Sequence, residues 1–142
     1  MKKLMVIMAL CMMMVGCNSD DHEMVCTYKK DKDKGTITVR YSGDKIKQLQ
    51  FDATQYIDSD LLDEVGEKDF EAYWRKNVEA YNKEGVSVDS AYDKETRMAS
   101  MQIDVSLDQL KDRNYSDFYL NDNLSLKSFK KRVEDQLNYT CK

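Results

Sequence analysis

Proline is absent from this chain of 142 residues, and glycine and histidine are scarce, with five copies and one copy. Without proline, the turns must rest on Gly, Asp and Asn, and no native cis-proline can slow folding. The few glycines form no glycine-rich loop of the kind that cradles phosphates. The single histidine, His22, lies in a polar stretch, which excludes a Ser-His or Cys-His nucleophile unless His22 folds back.

Acidic residues are plentiful, but nothing in the sequence pairs two of them as acid and base. The chain has 26 Asp and Glu residues, and none of their positions must be buried. A catalytic carboxylate pair therefore cannot be chosen. We expect a protein that is not an enzyme and that needs no cofactor.

The longest apolar run lies at the N-terminus. Residues 2–16 have a basic start, an apolar middle and a small last residue, which is the order of a secretory signal peptide. The run is too short to span a bilayer, which takes about 20 apolar residues. The ending Met14-Val15-Gly16-Cys17 is similar to a bacterial lipobox, with Met14 at the position where Leu is usual.

Cys17 is the predicted lipid carrier. In lipobox proteins the Cys thiol takes a diacylglyceryl group, the peptide is cut before the Cys, and the new amine can be acylated, for example by palmitate. Two or more chains give stable anchoring, because each buried methylene contributes about 0.8 kcal/mol. The competing interpretations are lipidation at Cys11, which follows the bulky Leu10, and an ordinary secretory signal that leaves Cys17 free.

These features predict a signal peptide over residues 1–16, a polar tether over 17–23 and a single α+β domain over 24–142. Loss of the signal removes two lysines and takes the formal charge from −4 to −6. An acidic, exported domain is a poor candidate for nucleic acid, which needs clustered Lys and Arg. We expect the domain to lie outside the cytoplasm, held to the cell membrane by the lipid on Cys17.

Two cysteines remain for the folded domain, Cys26 and Cys141. An even pair in an exported chain predicts a disulfide. It would close a loop of over a hundred residues and contribute on the order of 4 kcal/mol. Cys26-Thr27-Tyr28 is mirrored by Tyr139-Thr140-Cys141. Pairing each residue of the first segment with the identical residue of the second gives the same sum of residue numbers every time, as an antiparallel ladder requires. The alternative is a bridge from a strand to a loosely placed tail.

Two acidic segments contain residue types that bind metal ions. Asp20-Asp21-His22-Glu23 fits a solvated tether better than a weak metal site. The segment 58–69 fails as a calcium loop, because Asp63 stands where glycine is required. An acidic helix N-terminus, where the helix dipole favours carboxylates, is the better interpretation. The cysteine pair lacks the partners of a zinc site, and we predict no metal site.

Alternating apolar and polar residues predict strands over 24–57, with turns at 31–35 and 42–44, and again over 86–92 and 99–105. One apolar face and one polar face indicate an antiparallel sheet that is covered on one side. We therefore predict an α+β fold with about five or six antiparallel strands. A long helix packs on one side of this sheet, and two shorter helices follow toward the C-terminus.

The long helix is predicted over 67–84, ending at Gly85. Its apolar stripe, which includes Phe70 and Trp74, favours core packing over a sugar-stacking surface. Ser106 with Gln109 resembles a capping box and predicts a short helix to about residue 113. A last helix is predicted to begin at Ser125 and to lead to the C-terminal Cys.

Four segments together look like the YehR-like family of small bacterial lipoproteins. They are the lipobox-like ending at Cys17, the Thr-rich hairpin at 36–39, the helix ending and strand start over 79–86, and the Asp-containing hairpin that follows. The resemblance implies a lipid-anchored α+β domain. It carries over one residue, Cys17, and no established activity.

Two binding hypotheses follow. The first is a non-catalytic domain that binds a protein or another component of the cell envelope. The alternative is a small-ligand binder that uses an aromatic-lined groove, with Tyr115, Phe118 and Tyr119 as the candidate ligand-facing residues. A concave pocket lined by tyrosines would favour the alternative, and a filled core with a flat apolar patch would favour the first.

Overall fold

The computed structural model describes residues 21–110 and 115–142. The predicted signal peptide and the predicted lipid carrier Cys17 therefore lie outside the described residues. The strands are β1 (His22–Lys30), β2 (Asp33–Ser42), β3 (Lys45–Tyr56), β4 (Val86–Asp93), β5 (Met98–Ser106) and β6 (Thr140–Cys141). They form one six-stranded sheet in the order β4-β5-β3-β2-β1-β6, and every neighbouring pair is antiparallel. β1 begins two residues before the predicted domain boundary at Met24.

Three α-helices lie among the described residues: α1 (Ser59–Val65), α2 (Phe70–Glu79) and α3 (Leu126–Leu137). A short 3-10 helix covers Tyr115–Phe118. The first three strands form a meander. Helices α1 and α2 then lead to β4 at one edge of the sheet, and α3 leads to β6 at the opposite edge. None of the described helices is long and apolar enough to cross a membrane.

The sheet has one apolar face, and two clusters cover it. The larger cluster joins strand residues such as Ile37, Val39 and Leu49 to Phe129 and Val133 of α3. These two α3 residues are one turn apart, so they lie on the same side of the helix and face the sheet. The opposite face of the sheet carries mainly Thr, Gln, Asp and Ser, as the alternation in the sequence predicted.

The smaller cluster lies under α1 and α2. Its buried members are Ile57, Leu62, Phe70 and Ala99. The indole N–H of Trp74 donates to the carbonyl of Ser100 at 2.9 Å and fixes α2 to β5. The partial burial of this ring fits the core-packing interpretation of the stripe better than a sugar-stacking surface.

The predicted arrangement of helices is not confirmed. The helix expected over 67–84 covers only ten residues, because the amide of Tyr81 donates to Val78 in an i to i+3 bond that tightens the last turn. Among the described helices the longest is α3, and it supplies buried side chains to the larger cluster. The helix predicted from Ser106 is absent up to Leu110, because β5 runs to Ser106 and a turn follows.

The turn between β2 and β3 caps the start of α3. The hydroxyl of Ser125 donates to Asp44 Oδ2 at 2.8 Å, and the amide of Lys127 donates to Asp44 Oδ1 at 3.1 Å. Ser125 Oγ also accepts from the amide of Ser128, so Ser125 is the N-cap of α3, which begins one residue after the predicted start. These bonds hold the pKa of Asp44 below its ordinary value, the Ser125 bond contributing most. One acidic turn thus positions both a hairpin and a helix.

Candidate functional site

A disulfide joins β1 to β6. Cys26 and Cys141 are buried, their Cα atoms are 3.9 Å apart, and 115 positions separate them in the sequence. The neighbouring residues Val25 and Lys142 exchange two backbone hydrogen bonds of 3.0 and 2.9 Å. Cys26 and Cys141 therefore occupy a non-hydrogen-bonded position of the ladder, where opposed Cα atoms lie closest. The disulfide holds a two-residue strand in place at the sheet edge.

The predicted register of this ladder is confirmed. Cys26 pairs with Cys141, and Thr27 pairs with Thr140. Beyond the ladder, the rings of Tyr28 and Tyr139 stack with centroids 5.6 Å apart and an interplanar angle of 29°. The mirrored sequence therefore describes a strand pair followed by a stacked pair of tyrosines.

Tyr139 also packs on Gly35, whose role differs from the one predicted. The sequence suggested that Gly35 closes a turn, but the turn is formed by Asp31 and Lys32, and Gly35 lies inside β2. A Cβ atom at Gly35 would collide with the phenol oxygen of Tyr139 and would lie 2.8 Å from its Cζ. Glycine at this position therefore makes room for the tyrosine ring.

A groove opens beside this ring on the covered face of the sheet. Its floor follows a row of directly opposed residues on four strands: Tyr28, Gly35, Ala53 and Met101. The Tyr139 ring fills the space above Gly35, so Ala53 is the small residue of this row that lines the open part of the groove.

The walls come from the C-terminal third of the chain. We call this depression the tyrosine groove; its lining includes Tyr28, Phe51, Ala53, Met101, Tyr119 and Tyr139. Leu137 at the end of α3 adds to the wall. The cavity measures about 300 Å³, at the lower end of the range for small-molecule sites.

Burial raises the pKa of the Tyr139 phenol, and the nearby phenols of Tyr119 and Tyr28 add smaller effects in the same direction. All three tyrosines line the groove. The cause is the partial burial of Tyr139, which disfavours the charged phenolate.

Solved structures of two proteins are similar to this one. E. coli YehR, determined by NMR, aligns with a TM-score of 0.62 and 13% identity over 87% of this chain and 93% of YehR. The chain has a YehR-like fold. A protein from Streptococcus pneumoniae TIGR4, also determined by NMR, aligns with a TM-score of 0.50 and 14% identity over 89% and 87% of the two chains. No family model and no curated protein matches the sequence. At these identities the likeness shows the fold alone.

Within this YehR-like fold, the three aromatic residues proposed from sequence lie in different places. Tyr119 lines the tyrosine groove. Phe118 is buried. Its ring centroid lies 6.2 Å from the ring centroid of Phe51 and 5.5 Å from the ammonium nitrogen of Lys83. Tyr115 lines a separate depression beside Leu124. The structure therefore brings Tyr119 together with Tyr28 and Tyr139, two residues that the sequence placed beside the disulfide but not in a groove.

Asp58 caps α1, because its carboxylate accepts from the amide of Leu61 at 3.0 Å. A carboxylate thus lies at a helix N-terminus, but the helix is α1, which falls inside the acidic segment that was predicted to lead into the helix at 67–84. His22 lies at the start of β1 with its ring 5.6 Å from that of Tyr41. Within 21–110 and 115–142, no three His, Cys, Asp or Glu residues converge as a metal site.

Proposed function

We propose that this protein is a lipid-anchored, extracytoplasmic binding domain without catalytic activity, carried on the membrane by Cys17. Residues 2–17 support the anchor through their signal-like order and lipobox-like ending. The disulfide supports export, because such bonds persist in oxidising compartments. The observation that carries the binding role is the tyrosine groove, which is concave and largely apolar.

The groove favours a small ligand over an envelope protein as the bound partner. Small-molecule sites are concave and lined by apolar and aromatic side chains. Among the described residues, the exposed large hydrophobic side chains are Tyr73 and Tyr81, on α2 and just after it. Two scattered tyrosines do not form the broad apolar patch that a protein interface presents. An envelope protein remains the second candidate.

Metabolic labelling with a clickable fatty acid tests the anchor. The wild type, Cys17→Ala and Cys11→Ala are expressed in a bacterial host, and the label on each protein is measured after membrane fractionation. We expect label on the wild type and on Cys11→Ala, and none on Cys17→Ala. Unlabelled wild type would refute the lipid anchor, and label retained by Cys17→Ala would move the lipid to another residue.

A further inference from the structure

We propose that the tyrosine groove binds an uncharged small molecule with a planar ring. This inference rests on the proposed binding function and adds the chemical class of the ligand. It comes from three features of the groove: an apolar floor, two lining charges of opposite sign (Asp33 and Lys34) of which neither is fully buried, and aromatic walls.

The floor offers contact area but few polar partners. Phe51, Ala53 and Met101 are partly buried residues of the apolar face that line the groove, and Phe51 also packs against Phe118 of the 3-10 helix. A ligand that covers them gains free energy in proportion to the apolar area removed from water. The floor therefore favours a ligand with apolar surface.

The charged groups near the groove are already occupied or stand in water. The Asp33 carboxylate accepts from the amide of Tyr56 at 2.8 Å, and Lys34 is exposed. The Lys32 ammonium lies 4.1 Å from the ring centroid of Tyr56. A charged ligand would lose hydration on the floor without gaining a buried counter-charge, which is costly. An uncharged ligand avoids this cost.

The aromatic walls favour a ligand that contains a planar ring. Aromatic side chains pair best when rings stack with an offset or meet edge to face, with centroids about 4.5 to 7 Å apart. Tyr139 of the wall stacks on Tyr28 at the end of the floor, so this pair presents preformed aromatic surface, with Tyr119 also in the lining. The cavity of about 300 Å³ limits the ligand to a few rings. A rigid wall also lowers the entropy lost on binding.

Two matched fluorescent probes test the ligand class. N-phenyl-1-naphthylamine is uncharged, and 8-anilino-1-naphthalenesulfonate has the same ring system with an added sulfonate. The sheet, both core clusters and the disulfide are complete within His22–Lys142, so the protein used is the chain after Cys17. We expect saturable binding of one uncharged probe per protein and affinity for the sulfonate that is at least about tenfold weaker.

Variants locate the probe. Ala53→Phe fills the centre of the floor and should weaken binding of the uncharged probe at least about tenfold. Ala91→Phe makes the same change at an exposed position of β4 on the polar face and should leave the affinity unchanged. Tyr119→Ala removes a partly buried wall residue that packs against the edge of the larger cluster, and it serves as a second groove variant if Ala53→Phe fails to fold.

Absence of probe binding, equal binding of both probes, or full affinity in both groove variants would overturn the inference. The fatty-acid label is independent of these measurements. Labelled protein that does not bind the uncharged probe would refute the ligand class alone. Unlabelled protein that binds the probe in the groove would refute the anchor alone.

Discussion

Removing the Cys26–Cys141 disulfide should cost the domain a large share of its stability. In the chain-entropy model, opening a loop of 115 residues restores unfolded-state freedom equivalent to about 5 kcal/mol at 25 °C. Native domains are stable by only about 5 to 15 kcal/mol, so the loss is a major fraction of the total. The variant is the double change Cys26→Ala and Cys141→Ala, because both sites are buried and a serine hydroxyl would be left without a partner.

The assay is denaturant unfolding followed by circular dichroism and by the fluorescence of Trp74, the one tryptophan of the chain. We expect the free energy of unfolding to fall by about 4 to 5 kcal/mol and the melting temperature by roughly 15 to 25 °C. Reduction of the wild type should give the same shift. The control is Thr140→Ala, an exposed neighbour in β6, which should change stability by less than about 0.5 kcal/mol. A loss below about 1 kcal/mol in the double variant would refute the entropy argument.

Three further predictions concern residues around the sheet. Gly35→Ala should destabilise the domain by about 1 to 3 kcal/mol, because its Cβ meets the Tyr139 ring; a cost that persists in the Tyr139→Leu background would contradict this cause. Asp44→Asn should lower the melting temperature at pH 7. The gap in melting temperature between wild type and variant should shrink as pH falls through the lowered pKa of Asp44, since only the ionised carboxylate stabilises the folded state. A gap that stays constant from pH 7 into acid would exclude stabilisation by the Asp44 carboxylate at the start of α3. Burial raises the pKa of Tyr139 above its ordinary value of 10. The difference in absorbance between wild type and Tyr139→Phe should therefore show a phenolate that forms at higher pH than in free tyrosine, and stability should decline as pH rises through that pKa. A titration at the ordinary pKa would show that the ring is not shielded from water.

The sheet could be predicted from the sequence because its alternation reports burial directly. Each strand has one covered and one solvated face, so apolar residues recur every second position. The mirrored segments around Cys26 and Cys141 also contained the register of the C-terminal ladder, and the structure confirms it. The start of the last helix was predicted at Ser125, one residue before α3 begins, because a polar residue before an apolar stripe is a local signal.

Errors arose where tertiary contacts override local signals. Gly35 looked like a turn residue, yet its small size serves a tyrosine that is distant in sequence. Ser106 resembled a capping residue, but β5 continues to that position beside β3, and its hydroxyl donates to Asp108 instead. The tyrosine groove was missed for the same reason, because its tyrosines come from β1, from the segment after the 3-10 helix and from the chain after α3.

If the proposed lipid on Cys17 anchors the domain, the tether and β1 limit how far the groove can stand above the membrane. Five positions separate Cys17 from His22, which allows at most about 17 Å of chain between a lipid and the first strand. From His22 to Tyr28 the strand rises by about 20 Å, because each residue advances about 3.3 Å. An anchored domain can therefore stand with its meander turn at Asp31 and Lys32 pointing outward and the groove near its top. A protein anchored in this orientation would bind its ligand from the surrounding fluid rather than extract it from the bilayer.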